Sequence, residues 1–184
     1  MRYRRADVVD RAIALLDEIG LEALSMRRLA AELGVQPSAL YHHVAGKQEL
    51  LGAVADEILA RGRRPTEVVT WQAELQLVCV ELRDIMLRHR DGAALVALVH
   101  SLGIGAAEPL RRMTAALAWA GADDELARVG ARTLFHFVFG HVADEQSQRE
   151  RGDADPSAGA DFAVGLGVIL DGLDAQMGAT RTVR

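Results

Sequence analysis

The sequence lacks several features that would place it in common protein classes. It has a single cysteine, Cys79, which excludes an internal disulfide. It shows no charged-then-apolar leader and no apolar run of about 18 residues, which argues against export and membrane insertion. Alternating runs of Val, Ile, Thr and aromatic residues between tight turns, the signals of β-strands, are scarce. These absences predict a soluble cytoplasmic protein with no sheet.

Charge is distributed unevenly along the 184 residues. The net charge of −5 would by itself argue against a nucleic acid partner. Residues 1–64, however, hold 10 Lys and Arg against 9 Asp and Glu, whereas residues 65–184 hold 11 against 17. The first five residues, MRYRR, form a small basic arm. Local charge, and not total charge, should therefore govern any contact with DNA.

Apolar residues recur at spacings of three and four along almost the whole chain, which predicts about nine helices. The first helix ends at Gly20, which suits the left-handed position after a helix. Ser25 caps a second helix that Gly34 ends. A third helix of about eight residues begins near Gln36, with Pro37 at an early position where its missing N–H costs nothing. No internal repeat is present.

The remaining helices are longer. A fourth runs from about Lys47 to Ala60, and the stretch RGRRPTE then breaks the pattern, which marks a domain boundary. Later helices are predicted over about 70–90, 93–101, 108–120, 124–148 and 161–177.

The tight turn Leu33-Gly34-Val35 between two short helices matches a helix-turn-helix, whose second helix enters the major groove of DNA. Helical spacing turns Leu40 and Val44 toward the first two helices and leaves the other face outward. That face is too short to pack well on another helix, but it suits a groove about 12 Å wide.

Each outward residue type has a role that it can play on DNA. Arg27 and Lys47 can anchor phosphates, and Gln36 and Ser38 can read base edges. The remaining candidates can donate to phosphates, stack against sugars or touch a thymine methyl group: Ala39, Tyr41, His42 and His43. The alternative is a generic helical bundle with a polar face. A metal site at the two histidines is disfavoured, because helical neighbours point about 100° apart and chelate poorly.

The segment LSMRRLAAELGVQPSALYHHVAGKQELLGAVA resembles the DNA-binding domain of the TetR family of repressors. The resemblance rests on Leu40-Tyr41-His42-His43-Val44 and on Lys47 to Leu51, and it continues in the tetracycline-repressor subgroup through later segments. Those segments are Thr70-Trp71-Gln72, His89 to Ala93, His136-Phe137, Gly140, Val142, Asp144 to Gln146, Gly165-Leu166 and Gly172-Leu173.

The resemblance implies an all-α homodimer that binds a palindromic operator and leaves it when a small molecule binds. It implies a three-helix DNA-binding domain over residues 1–46, a connecting helix and linker over 47–64, and a helical effector-binding and dimerisation domain over 65–184. The family's DNA-contact positions fall on Arg27, Gln36, Pro37, Ser38, Ala39, Tyr41, His42, His43 and Lys47. Met26 and His42 depart from the family pattern, so the operator sequence does not carry over.

An effector pocket is expected among the helices between Thr70 and Gln148. Its candidate lining is Met86, His100, Leu110, Met113, Leu117 and Phe137, although ordinary core packing explains the same side chains. Val78, Leu82 and Met113 stand where the tetracycline subgroup has polar or aromatic drug contacts, and His100 is out of register. A mostly hydrophobic effector is therefore expected in place of a tetracycline–metal complex, with no metal at Asp144 and no cofactor.

The dimer interface is expected on the last helix and the helix before it, in a four-helix bundle. Its candidate residues are Gly130, Phe137, His141, Phe162, Leu166, Ile169 and Leu173. Periodicity alone explains this stripe equally well by packing within one chain.

Three other functions remain open from the residues. An enzyme is disfavoured, because no nucleophile–base motif or Gly-rich phosphate loop is present and His136 and His141 are poorly spaced for joint action. A helical adaptor that binds a protein partner, and a transcriptional activator, stay as alternatives.

Overall fold

The computed structural model describes the backbone of residues 3–182 and the side chains of residues 3–179. This range forms nine α-helices and contains no β-strand, which confirms the predicted all-α fold. Met1 and Arg2 of the basic arm lie outside the described residues. The helices are α1 Arg5–Ala23, α2 Met26–Glu32, α3 Pro37–Leu40, α4 Lys47–Gly62, α5 Trp71–Arg88, α6 Gly92–Ser101, α7 Ala107–Trp119, α8 Asp124–Arg151 and α9 Ala158–Thr182.

The chain divides into two compact units that are not contiguous in sequence. The first unit joins the residues up to Arg63 with Asp84–Ala107, and the second joins Arg64–Arg83 with Glu108 onward. The first unit's first segment ends at Arg63, next to the linker end expected at residue 64, and Asp84–Ala107 joins this unit because α6 and the connection after it pack on α4. The functional division into residues 1–46, 47–64 and 65–184 stays a prediction.

In the first unit, α4 is held against the connection between α6 and α7. A Cβ on Gly52 would lie 2.3 Å from the carbonyl oxygen of Ile104, so only glycine allows this approach. One turn further along α4, Asp56 Oδ1 accepts a hydrogen bond from the Ala106 N–H at 2.8 Å. The apolar residues that recur at helical spacing along α4 are buried: Leu50, Leu51, Val54, Ile58 and Leu59.

The end of α1 differs from the prediction. Gly20 breaks the helix as expected, with φ +82°, but the chain resumes helical geometry and continues to Ala23. The reason is a capping contact from a distant residue, because Asp91 Oδ2 accepts a hydrogen bond from the Leu21 N–H at 2.7 Å. A side chain at residue 20 would meet the same carboxylate.

The second unit contains charged pairs in its interior. Arg112 bonds Glu74 at 2.9 Å and Glu81 at 2.5 Å. Glu145 accepts from Arg83 at 2.7 Å and from Arg149 at 2.6 Å. Removing one member of such a pair leaves a buried charge unbalanced, so these side chains tie α5, α7 and α8 together.

The last helix is the most membrane-like segment of the described residues by length and composition. Residues 158–179 are long enough to cross a membrane, and an 18-residue window has a mean hydropathy of 1.2 with 28% of it buried. It is not an uninterrupted apolar run, because Asp161, Asp171 and Asp174 lie within it. One such helix is weak evidence for a membrane span, since packed helices of soluble proteins have the same composition.

We predict that Cys79 is unreactive in the folded protein. Its side chain is completely buried on α5, and burial raises the pKa of the thiol to about 12, so the reactive thiolate is absent near neutral pH. Because Cys79 is the single cysteine, labelling with a chromogenic disulfide at pH 8 reports on this residue alone. Labelling should be complete in denaturant and negligible in native buffer. Native labelling at the rate of the unfolded chain would contradict the buried environment.

Candidate nucleic-acid interface

The turn between α2 and α3 has the geometry that the sequence predicts. Ser25 Oγ accepts a hydrogen bond from the Arg28 N–H at 3.2 Å and so caps the start of α2. Gly34 adopts φ +65°, and the N–H groups of Gly34 and Val35 donate to the carbonyls of Ala31 and Ala30. These bonds close the end of α2 and redirect the chain sharply into α3.

The third helix is shorter than predicted. It has four residues, Pro37–Leu40, in place of about eight, because Tyr41 begins a turn that ends the regular helix. The turn is closed by hydrogen bonds from the His43 and Val44 N–H groups to the Leu40 carbonyl, at 2.9 and 3.0 Å. We call residues 36–43 the reading segment.

Two apolar side chains hold the reading segment to the rest of the first unit. Leu40 and Val44 are each 1% exposed, as their helical spacing predicts. Tyr41, the residue between α3 and the turn, is 55% exposed although it is aromatic. Tyr41 therefore presents its ring and its hydroxyl to solvent beside the two buried anchors.

All nine predicted DNA-contact residues belong to the first unit. Arg27 lies in α2, Lys47 is the first residue of α4, and the other seven lie in the reading segment. Exposed side chains are Arg27, Gln36, Ser38, Tyr41, His42 and Lys47, and partly buried ones are Pro37, Ala39 and His43. Their role in DNA binding is taken up as a proposal below.

Sequence reasoning did not single out Tyr3, although it placed this residue in the basic arm. Tyr3 Oη donates a hydrogen bond to the Leu33 carbonyl at 3.0 Å, at the residue that ends α2. A groove of about 350 Å³ separates Tyr3 from the reading segment, and its lining includes His42 and His43. No local pattern in the sequence could have paired residues 3 and 33.

Carboxylates fix the helix starts beside this surface. Asp7 accepts from the Arg4 backbone N–H at 2.7 Å, and this bond is the main cause that lowers the pKa of Asp7, with further contributions from the Arg4 side chain and from His43. Glu49 accepts from the Ala45 N–H at 2.7 Å and from Arg5 at 3.1 Å. The first turns of α1 and α4 are thereby tied down on either side of the reading segment.

The predicted effector residues line neither the groove beside Tyr3 nor the groove between α1 and α4 that is described below. Met86 and His100 belong to the first unit, and Leu110, Met113, Leu117 and Phe137 belong to the second. Met86, Met113 and Leu117 are fully buried and the other three are partly buried. The effector pocket therefore stays a prediction.

A larger groove of about 450 Å³ lies between α1, α4 and Ile104 and is lined by four carboxylates, including Asp10 and Asp56. Within residues 3–179, no group of three His, Cys, Asp or Glu side chains is arranged to hold a metal. Asp144 accepts a hydrogen bond from Gln148 at 2.8 Å.

The stripe expected at the dimer interface packs inside one chain. Phe137 on α8 stacks on Phe162 of α9 with ring centroids 5.4 Å apart. A Cβ on Gly130 would lie 2.8 Å from Leu173, and His141 Nε2 lies 2.8 Å from the Ala158 carbonyl. Leu166 is 4% exposed and Ile169 is partly buried. In the single chain these residues join α8 to α9.

Different residues of α8 and α9 are left apolar and uncovered. Val164 and Val168 are 68% and 67% exposed on α9, and Val129 is 45% exposed on α8. Exposed valines four residues apart make a continuous stripe on a helix. Arg132 and Asp171, each three residues beyond an exposed valine, are also exposed.

Two family models match the sequence. The model of bacterial regulatory proteins of the tetR family matches residues 8–54, and the model of the tetracyclin repressor-like C-terminal domain matches residues 64–160. The second match alone spans more than half of the chain.

The chain belongs to the TetR family. This membership confirms the resemblance seen in the sequence, including its tetracycline-repressor-like subgroup. The family consists of bacterial regulatory proteins.

Curated TetR-family relatives match this chain over different fractions of its length. The class D tetracycline repressor of Escherichia coli is 42% identical over 95 residues, which are 50% of this chain and 44% of that protein. The chain thus spans less than half of this relative in the match. The class A tetracycline repressor from transposon 1721 of E. coli is 32% identical over 96% of this chain and 93% of its own length.

Solved structures of one TetR protein are similar over almost the whole chain. BioQ of Mycobacterium smegmatis is 40% identical with a TM-score of 0.86, covering 94% of this chain and 98% of that one. A structure of BioQ with its double-stranded DNA operator is also 40% identical, with a TM-score of 0.79 over 94% of this chain and 99% of that one.

Proposed function

We propose that this TetR-family chain is a ligand-responsive transcriptional repressor that binds a palindromic DNA operator as a homodimer and is released by a small-molecule effector. It acts in the cytoplasm, has no catalytic activity and needs no resident metal or cofactor. The observation that carries this proposal is the reading segment, which exposes polar and aromatic side chains over two buried anchors. The likeness to BioQ, whose structure includes an operator, supports the same use of this surface.

The chemistry of the exposed side chains fits the two parts of a DNA contact. Lys47 and Arg27 bear charges that attract phosphates and position the protein without reading sequence. Gln36 and Ser38 offer donors and acceptors for base edges in the major groove. Tyr41 and His42 extend from the same surface toward phosphates and sugars. The net acidity of the chain does not oppose this, because the acidic excess lies after residue 64.

We predict that Tyr41→Ala and Lys47→Ala both weaken operator binding, with different signatures. The probe is a duplex selected from a random pool by the wild-type protein, measured by fluorescence anisotropy across a salt series. Lys47→Ala should weaken binding to operator and scrambled duplexes alike and lower the salt slope by about 1, because it removes a phosphate contact. Tyr41→Ala should weaken binding to both duplexes by about 0.5–1.5 kcal/mol, the net value of one hydrogen bond, and should leave the salt slope unchanged because no Lys or Arg charge is removed.

Both side chains are exposed, so melting temperatures should stay close to the wild-type value. Wild-type affinity in both variants would exclude the reading segment as the DNA-binding surface.

The exposed valines of α8 and α9 support a dimer contact beside the stripe expected from the sequence, which stays a prediction. A second copy of the chain is the occupant that the family and the palindromic operator require. Val129 on α8 and Val164 and Val168 on α9 supply the apolar part. Arg132 and Asp171 carry opposite charges beside them, so a twofold axis can pair α8 of one subunit with α9 of the other.

We predict that Val168→Asp dissociates the dimer. Val168 is 67% exposed in the single chain, so a carboxylate there leaves the fold intact but is buried without a partner in the dimer. Val69→Asp is the matched control, since Val69 is 81% exposed and lies outside any helix. Light scattering should find the first variant monomeric and the second dimeric at micromolar concentration. A dimeric Val168→Asp would place the interface elsewhere.

Effector release needs a connection between the ligand-binding helices and the reading segment. The helix α4 begins immediately after the reading segment, and its Gly52 and Asp56 contact the connection that leads into α7. Movement of that connection on effector binding would shift α4, and the two reading segments of a dimer would leave half-site spacing. The coupling free energy is set by the difference in effector affinity between the arrangement that binds the operator and the arrangement that has left it.

We predict that Asp56→Ala weakens the coupling. Effectors, expected to be mostly hydrophobic, are first found as compounds that raise the melting temperature of the wild-type protein. Asp56→Ala loses the hydrogen bond to the Ala106 N–H, so it should bind the compound but release operator at least threefold less well. Glu57→Ala removes the same charge at the next residue, where the partner is Arg61, and should release normally. Full operator affinity in the effector-saturated wild-type protein would refute the coupling itself.

A further inference from the structure

Among the described residues before α1, Tyr3 contacts the helix-turn-helix through its side chain. Tyr3 is partly buried, and its hydroxyl donates to the Leu33 carbonyl at 3.0 Å. Leu33 is the last residue before Gly34, the turn glycine. The hydrogen bond therefore fixes the path of the chain start relative to the turn that aims the reading segment.

Tyr3 and the reading segment face the same groove. The groove of about 350 Å³ has Tyr3, Val8 and Val35 in its lining together with Ala39, His42 and His43. Asp7, in the first turn of α1, is close enough to His43 for the imidazole to help lower the pKa of the Asp7 carboxyl. The start of α1 consequently borders the residues that are proposed to contact DNA.

Arg4 is the cation that this arrangement presents. Its side chain is 83% exposed and pairs with Asp7 at 3.2 Å, while the side chain of Arg5 pairs with Glu49. An exposed ion pair of this kind contributes little free energy, because solvent and salt screen the attraction between its two charges. Replacing Asp7 by a phosphate as the partner of Arg4 therefore costs little free energy. A phosphate also accepts two parallel hydrogen bonds from the N–H groups of a guanidinium.

We propose that Tyr3 and Arg4 form a second DNA contact beside the reading segment, in which Arg4 binds the phosphodiester backbone and Tyr3 positions it. The proposal rests on the proposed function, because it needs the reading segment to lie on duplex DNA. It adds a contact outside the set that the helix-turn-helix supplies. Because a phosphate contact carries no sequence information, it raises affinity for all duplexes.

The test uses the full chain in four forms: wild type, Arg4→Ala, Tyr3→Phe and the double variant. Arg4→Ala keeps the backbone hydrogen bond from residue 4 to Asp7, so α1 retains its cap. Arg111→Ala is the charge-matched control, since Arg111 is 73% exposed and pairs with Glu108 in α7. Binding is measured on the selected operator and on a scrambled duplex across a salt series.

Arg4→Ala should weaken binding to both duplexes about tenfold at low salt and lower the salt slope by about 1. Arg111→Ala should leave both quantities at their wild-type values. Tyr3→Phe removes one oxygen and should weaken binding about threefold in the wild-type background but have no effect in the Arg4→Ala background. That loss of effect distinguishes positioning of Arg4 from a general loss of stability.

Wild-type affinity and salt slope in Arg4→Ala would overturn the proposal, and an equal effect of Tyr3→Phe in both backgrounds would overturn the role of Tyr3. Neither result touches the proposed function if Tyr41→Ala still weakens operator binding. A wild-type chain that binds no duplex would overturn both.

Discussion

The burial of Leu40 and Val44 is the constraint on which the shape of the reading segment depends. A four-residue helix has no stability of its own, because nucleating a helix costs more than so few hydrogen bonds return. The reading segment keeps one shape because these two side chains are buried and because Gly34 and the Leu40 carbonyl close the turns on either side. The other side chains of the segment are exposed or partly buried, so they are available for the contact with DNA proposed above.

A second close contact fixes the position of α4. This helix begins beside the reading segment and presses its backbone at Gly52 against Ile104. Such backbone contact leaves no flexible side chain to absorb a displacement, so movement of one element is passed to the other. The first unit includes α6 and the connection after it. The whole of α4, the helix proposed to transmit the effector signal, lies in the same unit.

Much of the fold was readable from the sequence because its signals are local. Helical spacing predicted the helices. Ser25 indicated the cap of α2, Gly34 indicated the turn after it, and Pro37 indicated the start of α3. The burial of Leu40 and Val44 followed from periodicity as well. The contacts of Tyr3 with Leu33 and of Asp91 with Leu21 were not predicted, because both join residues far apart in sequence. The grouping of α6 with α4 was missed for the same reason.

The interface stripe shows a second limit of sequence reasoning. The last helix carries apolar residues on two faces, and periodicity cannot tell which face meets its own chain and which meets a partner. Phe162 and Leu166 pack on α8, whereas Val164 and Val168 remain exposed. The dimer interface was expected on the stripe that includes Phe162 and Leu166, and this assignment stays a prediction.

The most direct test of the account is binding of the wild-type dimer to DNA flanking its own gene, compared with scrambled DNA across a salt series. A regulator of the proposed kind binds one flanking duplex at least a thousandfold more tightly than scrambled DNA, and its log affinity falls linearly with log salt. Equal affinity for flanking and scrambled duplexes, followed by failure to enrich any sequence from a random pool, would contradict the assignment of the reading segment to operator recognition.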